Sequence, residues 1–287
     1  MGQAQGEANE LKPAVLRPNV EAVQAAEHLA KRTKGRSAQI RRRFIERPDN
    51  TPTSPPLARL LRGGRGGHVR TKLLLTMLWV GANPPHDVTY PARAYAALLG
   101  LPKPDTTGAR RVLDAIAWLE THQFLTVENR PGHPSRVTLL RELADGQPYS
   151  VPGATFNKLR GQDPDDVTVT QHRYIQLPPT LWTSGWMAVL SGPGLAMLLV
   201  LLTELGGRDT EREIWFSPGM AKRRYDLSED TRTAGIRELA NAGLVTITRR
   251  DTNPDPFAVR RLRNVYRLHT TEFAAPASIV IPAHEVA

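Results

Sequence analysis

The chain has 287 residues, a length that predicts about two domains of roughly 100–150 residues each. It contains no cysteine, which excludes disulfides, thiolate catalysis and any zinc site that uses Cys ligands. Its 38 lysines and arginines against 28 acidic residues give a formal net charge of +10, which predicts a polyanionic partner, with nucleic acid favoured over an anionic membrane.

The N-terminal segment, residues 1–67, is predicted to be a basic arm that is largely disordered, with a helix over residues 19–33. Eight basic residues and one acidic residue lie between Lys31 and Arg47, and Gly- and Pro-rich breaks follow. Such an arm either remains a solvated tail or adds contacts to a phosphate backbone or a minor groove. In the second case, the contacting residues are predicted to be Arg41, Arg42 and Arg43.

The first folded domain is predicted to cover residues 68–141. It starts with an apolar helix around residues 70–80 and continues with a short strand, two helices, and two strands joined by a loop. On the third helix, Val112, Ile116 and Leu119 fall within about 60° of one another and form the core face. The candidate contact residues lie on the opposite face and flank of this helix and in the loop region between the two strands. They are Thr107, Arg110, Arg111, Asp114, Arg130, His133 and Arg136.

The second domain, residues 172–270, is predicted because the same pattern returns there. The separation of Tyr90 from Leu99 recurs between Phe216 and Tyr225, and the apolar spacing of the third helix and first strand also recurs. The last two helices and the final hairpin supply the second set of candidate contact residues, which are Lys222, Arg223, Arg224, Thr231, Arg237, Asn241, Arg249, Arg250, Arg260, Arg261 and Arg263.

Two acidic residues argue against direct DNA contact by the third helix of the second domain. Glu229 and Asp230 lie in its first turn, where they favour the helix dipole but repel a nearby phosphate. This leaves two further hypotheses for the second domain: it dimerises, or it holds a duplex mainly through its hairpin.

Two segments lie outside these domains. Residues 142–171 are rich in Gly, Pro and Asp and are predicted to be a linker, and the C-terminal tail, residues 271–287, has no evident pairing partner. Because residues 1–67 and 142–170 are so polar, we expect them to form no ligand pocket, and we expect no small-molecule effector.

The repeated unit resembles the winged helix-turn-helix superfamily, over residues 68–141 and 172–269. The resemblance implies a mainly α chain with small sheets (α+β) and two winged helix-turn-helix domains in tandem. It also implies that the third helix of each domain enters a major groove, while the hairpins, or wings, and the arm contact phosphates. Tandem arrangements of this kind are similar to plasmid and phage replication initiators and to some bacterial transcription regulators.

These features predict a sequence-specific double-stranded DNA-binding protein. An origin-binding replication initiator of plasmid or phage type is favoured, because two domains are covalently linked and no effector-binding domain is expected. A transcription regulator is the first alternative, and no residue separates the two families. From other classes, a protein–protein interaction module and a DNA-nicking enzyme remain. Further candidate partners are a second copy of the chain and the replication or transcription machinery.

No catalytic pattern is present, and we expect no enzyme activity, cofactor or metal site. The eight histidines show no HxH or HExxH spacing, and the Gly-rich stretch at 62–67 lacks the Lys-Ser/Thr of a P-loop. Tyr266, the candidate for a nicking nucleophile, has arginines near it in sequence, but alternate residues of a strand point apart. No signal peptide is visible, and the apolar run 195–202 is far shorter than the ~20 residues that span a bilayer. We therefore expect no membrane partner and a cytoplasmic location, associated with a nucleoid or plasmid.

Overall fold

The structure, a computed structural model, mixes helices with small sheets, at about 49% helix and 17% strand. The predicted α+β class is therefore confirmed. The residues that the structure describes are 13–47, 51–62, 64, 66–159, 161, 166–207, 212–251 and 262–282. Among these residues, none of the helices has the length and apolar character needed to cross a bilayer.

The N-terminal segment is folded into the body of the molecule. Its side chains Ile40, Phe44, Leu57 and Leu60 are fully buried, which only a packed segment can achieve. The prediction of a largely disordered arm is therefore wrong for residues 14–47 and 51–61. The elements of this segment are β1 (Ala14–Leu16), α1 (Val20–Thr33), β2 (Ala38–Arg41), α2 (Arg42–Ile45) and α3 (Pro56–Leu61).

The helix predicted near residue 20 is present and well capped. Asn19 accepts a hydrogen bond from the backbone N–H of Ala22 at 2.9 Å, and Lys34 ends the helix in a left-handed conformation. Its buried face, which includes Ala22 and Ala26, packs against the helix Ala92–Leu98 of the next unit. The segment is thus a structural part of the first unit.

The first unit contains a helix, a short strand, two helices and a hairpin. Its three strands form an antiparallel sheet with the last strand in the centre. A π-helical turn, Pro104–Gly108, leads directly into the final helix. The elements are α4 (Gly67–Val80), β3 (Asp87–Val88), α5 (Ala92–Leu98), α6 (Ala109–Thr121), β4 (Leu125–Glu128) and β5 (Arg136–Leu139).

The segment between the units is not a plain linker. Glu142 and Tyr149 are buried, and the strand Tyr174–Leu177 pairs antiparallel with β2 from the N-terminal segment. The predicted linker over 142–171 is therefore wrong for the described residues around Glu142 and Tyr149, since they belong to the packed body. The elements here are α7 (Pro152–Lys158), α8 (Val167–Thr170), β6 (Tyr174–Leu177), α9 (Thr180–Thr183) and α10 (Trp186–Val189).

The second unit repeats the element order of the first. A helix is followed by an extended residue, Ile214, which bridges to Tyr266, and then by two helices and a hairpin. Gly235 lets the third helix cross closely over the first, because a Cβ there would clash with the carbonyl oxygen of Pro193. The elements are α11 (Gly192–Leu205), α12 (Pro218–Tyr225), α13 (Glu229–Asn241), β7 (Val245–Asp251) and β8 (Leu262–Leu268).

A continuous hydrophobic core joins the two units. At its centre, the rings of Trp79 and Trp182 stack at 4.6 Å with an interplanar angle of 16°. The indole nitrogen of Trp182 donates to Thr76 Oγ1 at 2.9 Å, and that of Trp79 donates to the Arg36 carbonyl at 2.9 Å. These contacts tie the first unit to both the N-terminal segment and the segment that precedes the second unit.

The C-terminal tail pairs with the opposite end of the chain. After a 3-10 turn, the strand β9 (Ile279–Ile281) lies antiparallel to β1, with Leu16 opposite Ile279. Phe273 and Ile279 are buried. The partner that the sequence does not reveal is therefore β1, the first strand among the described residues.

Candidate nucleic-acid interface

The helix α6 presents the face that its periodicity predicts. Val112 and Leu119 are fully buried, whereas Arg110 and Asp114 are exposed. Leu113, on the same outward face, is 56% exposed and adds an apolar group between the two charged ones. The exposed Thr107 lies just before the helix, in the π-helical turn. This surface of α6 and the preceding turn thus presents a cation, a carboxylate, a hydroxyl and an apolar side chain.

Arg111 differs from its neighbour Arg110, because its side chain is half-buried and contacts α4 of the same unit. Its Nη2 lies 2.8 Å from His68 Nε2 at the start of α4. Trp118, two turns further along this flank, is half-buried, and the guanidinium of Arg70 lies 4.5 Å from its ring centroid. Arg111 and Trp118 are therefore half-buried against α4. Arg111 lies on the flank of α6, where the sequence places it, and its contact with DNA stays a prediction.

The hairpin of the first unit carries three of the predicted contact residues. His133 is exposed and Arg130 half-buried, at the turn between β4 and β5, where the N–H of His133 donates to the Arg130 carbonyl at 3.0 Å. Arg136 forms ion pairs with Asp87 at 3.3 Å and Glu128 at 3.4 Å. Surface ion pairs of this kind contribute only ~0–1 kcal/mol, so Arg136 can exchange them for another anion.

The basic helix α12 divides its three cations between two roles. Lys222 and Arg223 are exposed. Arg224 is instead held by Glu204, with Nη1 to Oε1 at 2.9 Å, and by Glu46, with Nε to Oε2 at 2.7 Å. The prediction that Arg224 contacts an outside partner is therefore wrong, because its guanidinium joins the second unit to α2.

The third helix of the second unit, α13, offers fewer outward groups than α6. Ser228 caps it by accepting from the N–H of Thr231 at 3.1 Å. Thr231 and Asn241 are half-buried, whereas Arg237 is exposed, as are the acidic residues of the first turn. The outward face of α13 is thus acidic at its start and carries a cation further along.

The hairpin of the second unit is the most arginine-rich exposed element among the described residues. Arg249 and Arg250 are exposed on β7, where they point to opposite faces. Arg263 pairs with Arg250 in the β7–β8 register, and its guanidinium lies 4.6 Å from the ring centroid of the exposed Trp215. Arg250 also pairs with Glu213 at 2.6 Å. The predicted contacts Arg260 and Arg261 lie outside the described residues.

The arginine run of the N-terminal segment is not an arm. Arg41 has no exposed surface, and its Nη1 lies 2.8 Å from Glu142 Oε2, while its Nη2 donates to the Ser150 carbonyl at 2.9 Å. Arg42 pairs with Glu46 at 2.9 Å. Arg43 is half-buried, and burial together with the nearby Arg141 lowers the pKa of its guanidinium.

The prediction of DNA contact is therefore wrong for Arg41, because a fully buried cation cannot reach a phosphate. The spacing of basic residues in sequence does not distinguish a buried arginine from a solvated one. The distinguishing signal is the buried carboxylate of Glu142, which is far away in sequence.

Tyr266, the candidate nicking nucleophile, packs within the second unit. Its ring packs 5.8 Å from that of Phe216, and its backbone bridges to Ile214. Arg263 and Arg267 belong to the opposite face of β8 because they are an odd number of residues away. Within the part of the chain that the structure describes, no three His, Asp or Glu side chains come together in a way that could hold a metal ion.

The comparisons with known proteins return nothing similar to this chain. No protein-family model matches it, and neither the curated proteins nor the solved structures contain a significant match.

Proposed function

We propose that this chain binds double-stranded DNA in a sequence-specific manner through two winged helix-turn-helix modules, and that it initiates replication at a plasmid or phage origin. The observation that carries the proposal is the repeat itself. Each unit has the order helix, extended segment, two helices and hairpin, and each places an exposed helix face beside an exposed hairpin. In winged-helix proteins these two surfaces are the ones that meet a groove and a backbone.

The outward face of α6 supplies the chemistry for reading bases. Arg110 can donate two hydrogen bonds to O6 and N7 of guanine, and Asp114 can accept one from N4 of cytosine. Leu113, largely exposed, suits contact with a thymine methyl group.

The second unit supplies mainly phosphate contacts. Lys222 and Arg223 on α12, together with Arg249 and Arg250 on β7, are exposed cations that can neutralise backbone phosphates. The acidic first turn of α13 disfavours close approach of that helix end to a backbone. We therefore assign orientation and affinity to the second unit and most of the base reading to the first.

Footprinting on fragments of the native replicon tests the base-reading role of α6. Arg110→Ala is expected to weaken binding to the specific site by about 1–3 kcal/mol and to relax the preference at one base position. The matched control is Arg93→Ala, which removes an exposed arginine from α5 of the same unit and should leave the footprint intact. An unchanged footprint with Arg110→Ala would show that α6 is not the reading helix.

Sequencing of DNA immunoprecipitated with the chain from its host separates the two biological roles. Sites confined to one origin support replication initiation. Sites spread over promoters point to transcription regulation, and an absence of any enriched duplex would favour a protein–protein module. The replication role is preferred because the two units share one core, which suits a fixed, asymmetric binding site.

A further inference from the structure

A cavity of about 560 Å³ lies between the two units. Its wall is formed by the start of α4, by the turn after α5 and by residues 188–193, which lead into α11. Arg111 of α6 and Thr231 of α13 complete it. The cavity therefore contacts both third helices. Its volume falls in the range of ~300–1,000 Å³ that is typical of small-molecule sites.

Three basic side chains converge on this cavity: His68, Lys72 and Arg111. Lys72 is only 4% exposed, and its Nζ donates to the Ala188 carbonyl at 2.8 Å. Arg111 contacts His68 Nε2 at 2.8 Å. Among the described residues, no carboxylate oxygen lies within ion-pair distance of these three groups. Lys72 and Arg111 thus face one cavity with a carbonyl and an imidazole as their hydrogen-bond partners, and the carboxylate of Glu238 acts on Lys72 from beyond ion-pair distance.

Burial and the neighbouring charges shift the pKa values of two of these groups. Burial, with help from Lys72 and Arg111, lowers the pKa of His68 to about 4, so the imidazole is neutral and accepts the hydrogen bond of Arg111. Burial also lowers the pKa of Lys72 to about 8, with Glu238 raising it and Arg111 lowering it further. The carboxylate of Glu238 is itself occupied by the backbone N–H of Ser191 at 2.7 Å. An anion in the cavity would relieve the repulsion between Lys72 and Arg111.

The backbone adds to the same positive potential. Helix α4 starts at the cavity, and its N-cap residue, Gly66, has no side chain to satisfy the first N–H groups. The positive end of a helix dipole favours a negatively charged group. Gly192 keeps the start of α11 close to the same point, since a Cβ there would lie 3.2 Å from the Cβ of His68.

Beside the polar Ser191 and Thr231, four leucines give the wall an apolar part. Leu61, Leu99, Leu101 and Leu190 line the cavity beside the basic groups. A bare inorganic ion would leave this surface unused, whereas the organic part of a phosphate ester would cover it.

We propose that the cavity binds a phosphate ester of nucleotide size, with Lys72 and Arg111 on the phosphate and the leucines on the organic part. This contradicts the expectation of no small-molecule effector, which considered only the polar segments and not the space between the units. The phosphate has two possible sources, a free nucleotide or a DNA backbone, and the cavity volume favours the free nucleotide. Since the walls include α6 and α13, an occupant would also fix the separation of the two third helices, a consequence that depends on the proposed DNA-binding function.

Calorimetric titration of the full chain with ADP, and separately with pyrophosphate, tests the site. We expect saturable binding of ADP and weaker binding of pyrophosphate, which lacks the organic part. Arg111→Ala should weaken ADP binding by about 10- to 100-fold, because it removes a charge-assisted hydrogen bond. Arg110→Ala, one residue away on the exposed face, is the matched control and should bind ADP as the unmodified chain does.

A competition experiment with duplex DNA identifies the source of the phosphate. If ADP and DNA bind at the same time, the site serves a small molecule; if each displaces the other, it holds a backbone phosphate. Both outcomes support a phosphate-ester site. Absence of ADP binding to the unmodified chain, or equal binding by Arg111→Ala shown to be folded by circular dichroism, would overturn the proposal. Because Arg110→Ala tests base reading and Arg111→Ala tests the cavity, either proposal can fail without the other.

Discussion

Individual arginines in this chain are either buried and structural or exposed and available to a ligand, depending on which carboxylates lie beside them. Arg41 is fully buried against Glu142, whereas Arg110 is exposed at the surface of α6. Removing a charged residue from water costs several kcal/mol unless its partner is well placed. The ion pair at 2.8 Å and the bond to Ser150 supply that partner for Arg41. Arg41 therefore stabilises the fold, and Arg110 remains available to a ligand.

This difference predicts an asymmetric response to mutation at the buried pair. Arg41→Met leaves the buried carboxylate of Glu142 without its cation and is expected to lower the free energy of unfolding by about 3–5 kcal/mol. Arg41→Met combined with Glu142→Met should recover part of that loss, since no buried charge then remains. Urea denaturation gives both values.

The neighbouring residue Arg42 provides the control for that experiment. Its ion pair with Glu46 is partly exposed, so Arg42→Met should cost no more than about 1 kcal/mol. Equal losses for Arg41→Met and Arg42→Met would contradict a structural role that is specific to Arg41.

At the scale of the element, α12 shows how one short helix serves both packing and surface charge. Adjacent positions of a helix are about 100° apart, so Arg223 faces solvent while Arg224 reaches Glu46 and Glu204. Helix α6 divides its adjacent arginines in the same way, with Arg110 outward and Arg111 in the cavity. A run of basic residues on a helix therefore cannot be assigned to one function as a whole.

The pair on α12 gives a matched test of phosphate contact. Arg223→Ala is expected to leave stability unchanged and to weaken binding to all duplexes similarly. The slope of log affinity against log salt concentration should fall by the amount that corresponds to about one phosphate contact. Arg224→Ala is expected to destabilise the fold by about 1–3 kcal/mol, because it removes hydrogen bonds to two carboxylates. DNA affinity over a range of salt concentrations, together with thermal unfolding, measures both effects. A large loss of stability with Arg223→Ala would reverse the assignment.

At the scale of the whole molecule, strands of the N-terminal segment pair with strands from the middle and the C-terminal part of the chain. β1 pairs with β9, and β2 pairs with β6, so strands far apart in sequence form two of the small sheets. The stacked pair Trp79 and Trp182 lies in the same core. Because this core is continuous, we expect the two units to unfold together.

Calorimetry tests this cooperativity. The full chain should unfold in a single transition, and Trp182→Ala should lower the free energy of unfolding by about 3–5 kcal/mol through the cavity it creates. Trp215→Ala, a change at a Trp that is 45% exposed, is the control and should have a much smaller effect. Two separate transitions for the unmodified chain would show that the units are independent domains.

The sequence by itself determined the two repeated units and the outward face of α6. Both follow from local patterns: Val112 and Leu119 are spaced for one side of a helix, and the strands of the first hairpin alternate at a period of two residues. Such patterns require no knowledge of distant residues.

Only the tertiary structure decided that the N-terminal segment is folded, that Arg41 is buried and that a cavity lies beside Arg111. Each depends on groups far apart in the chain, such as Arg41 and Glu142, which are 101 residues apart. Hydrophobic periodicity records which side of an element is apolar, but it does not record which carboxylate or which helix will meet that element. That choice arises when the elements pack, because the cost of burying a charge depends on the partner that packing provides.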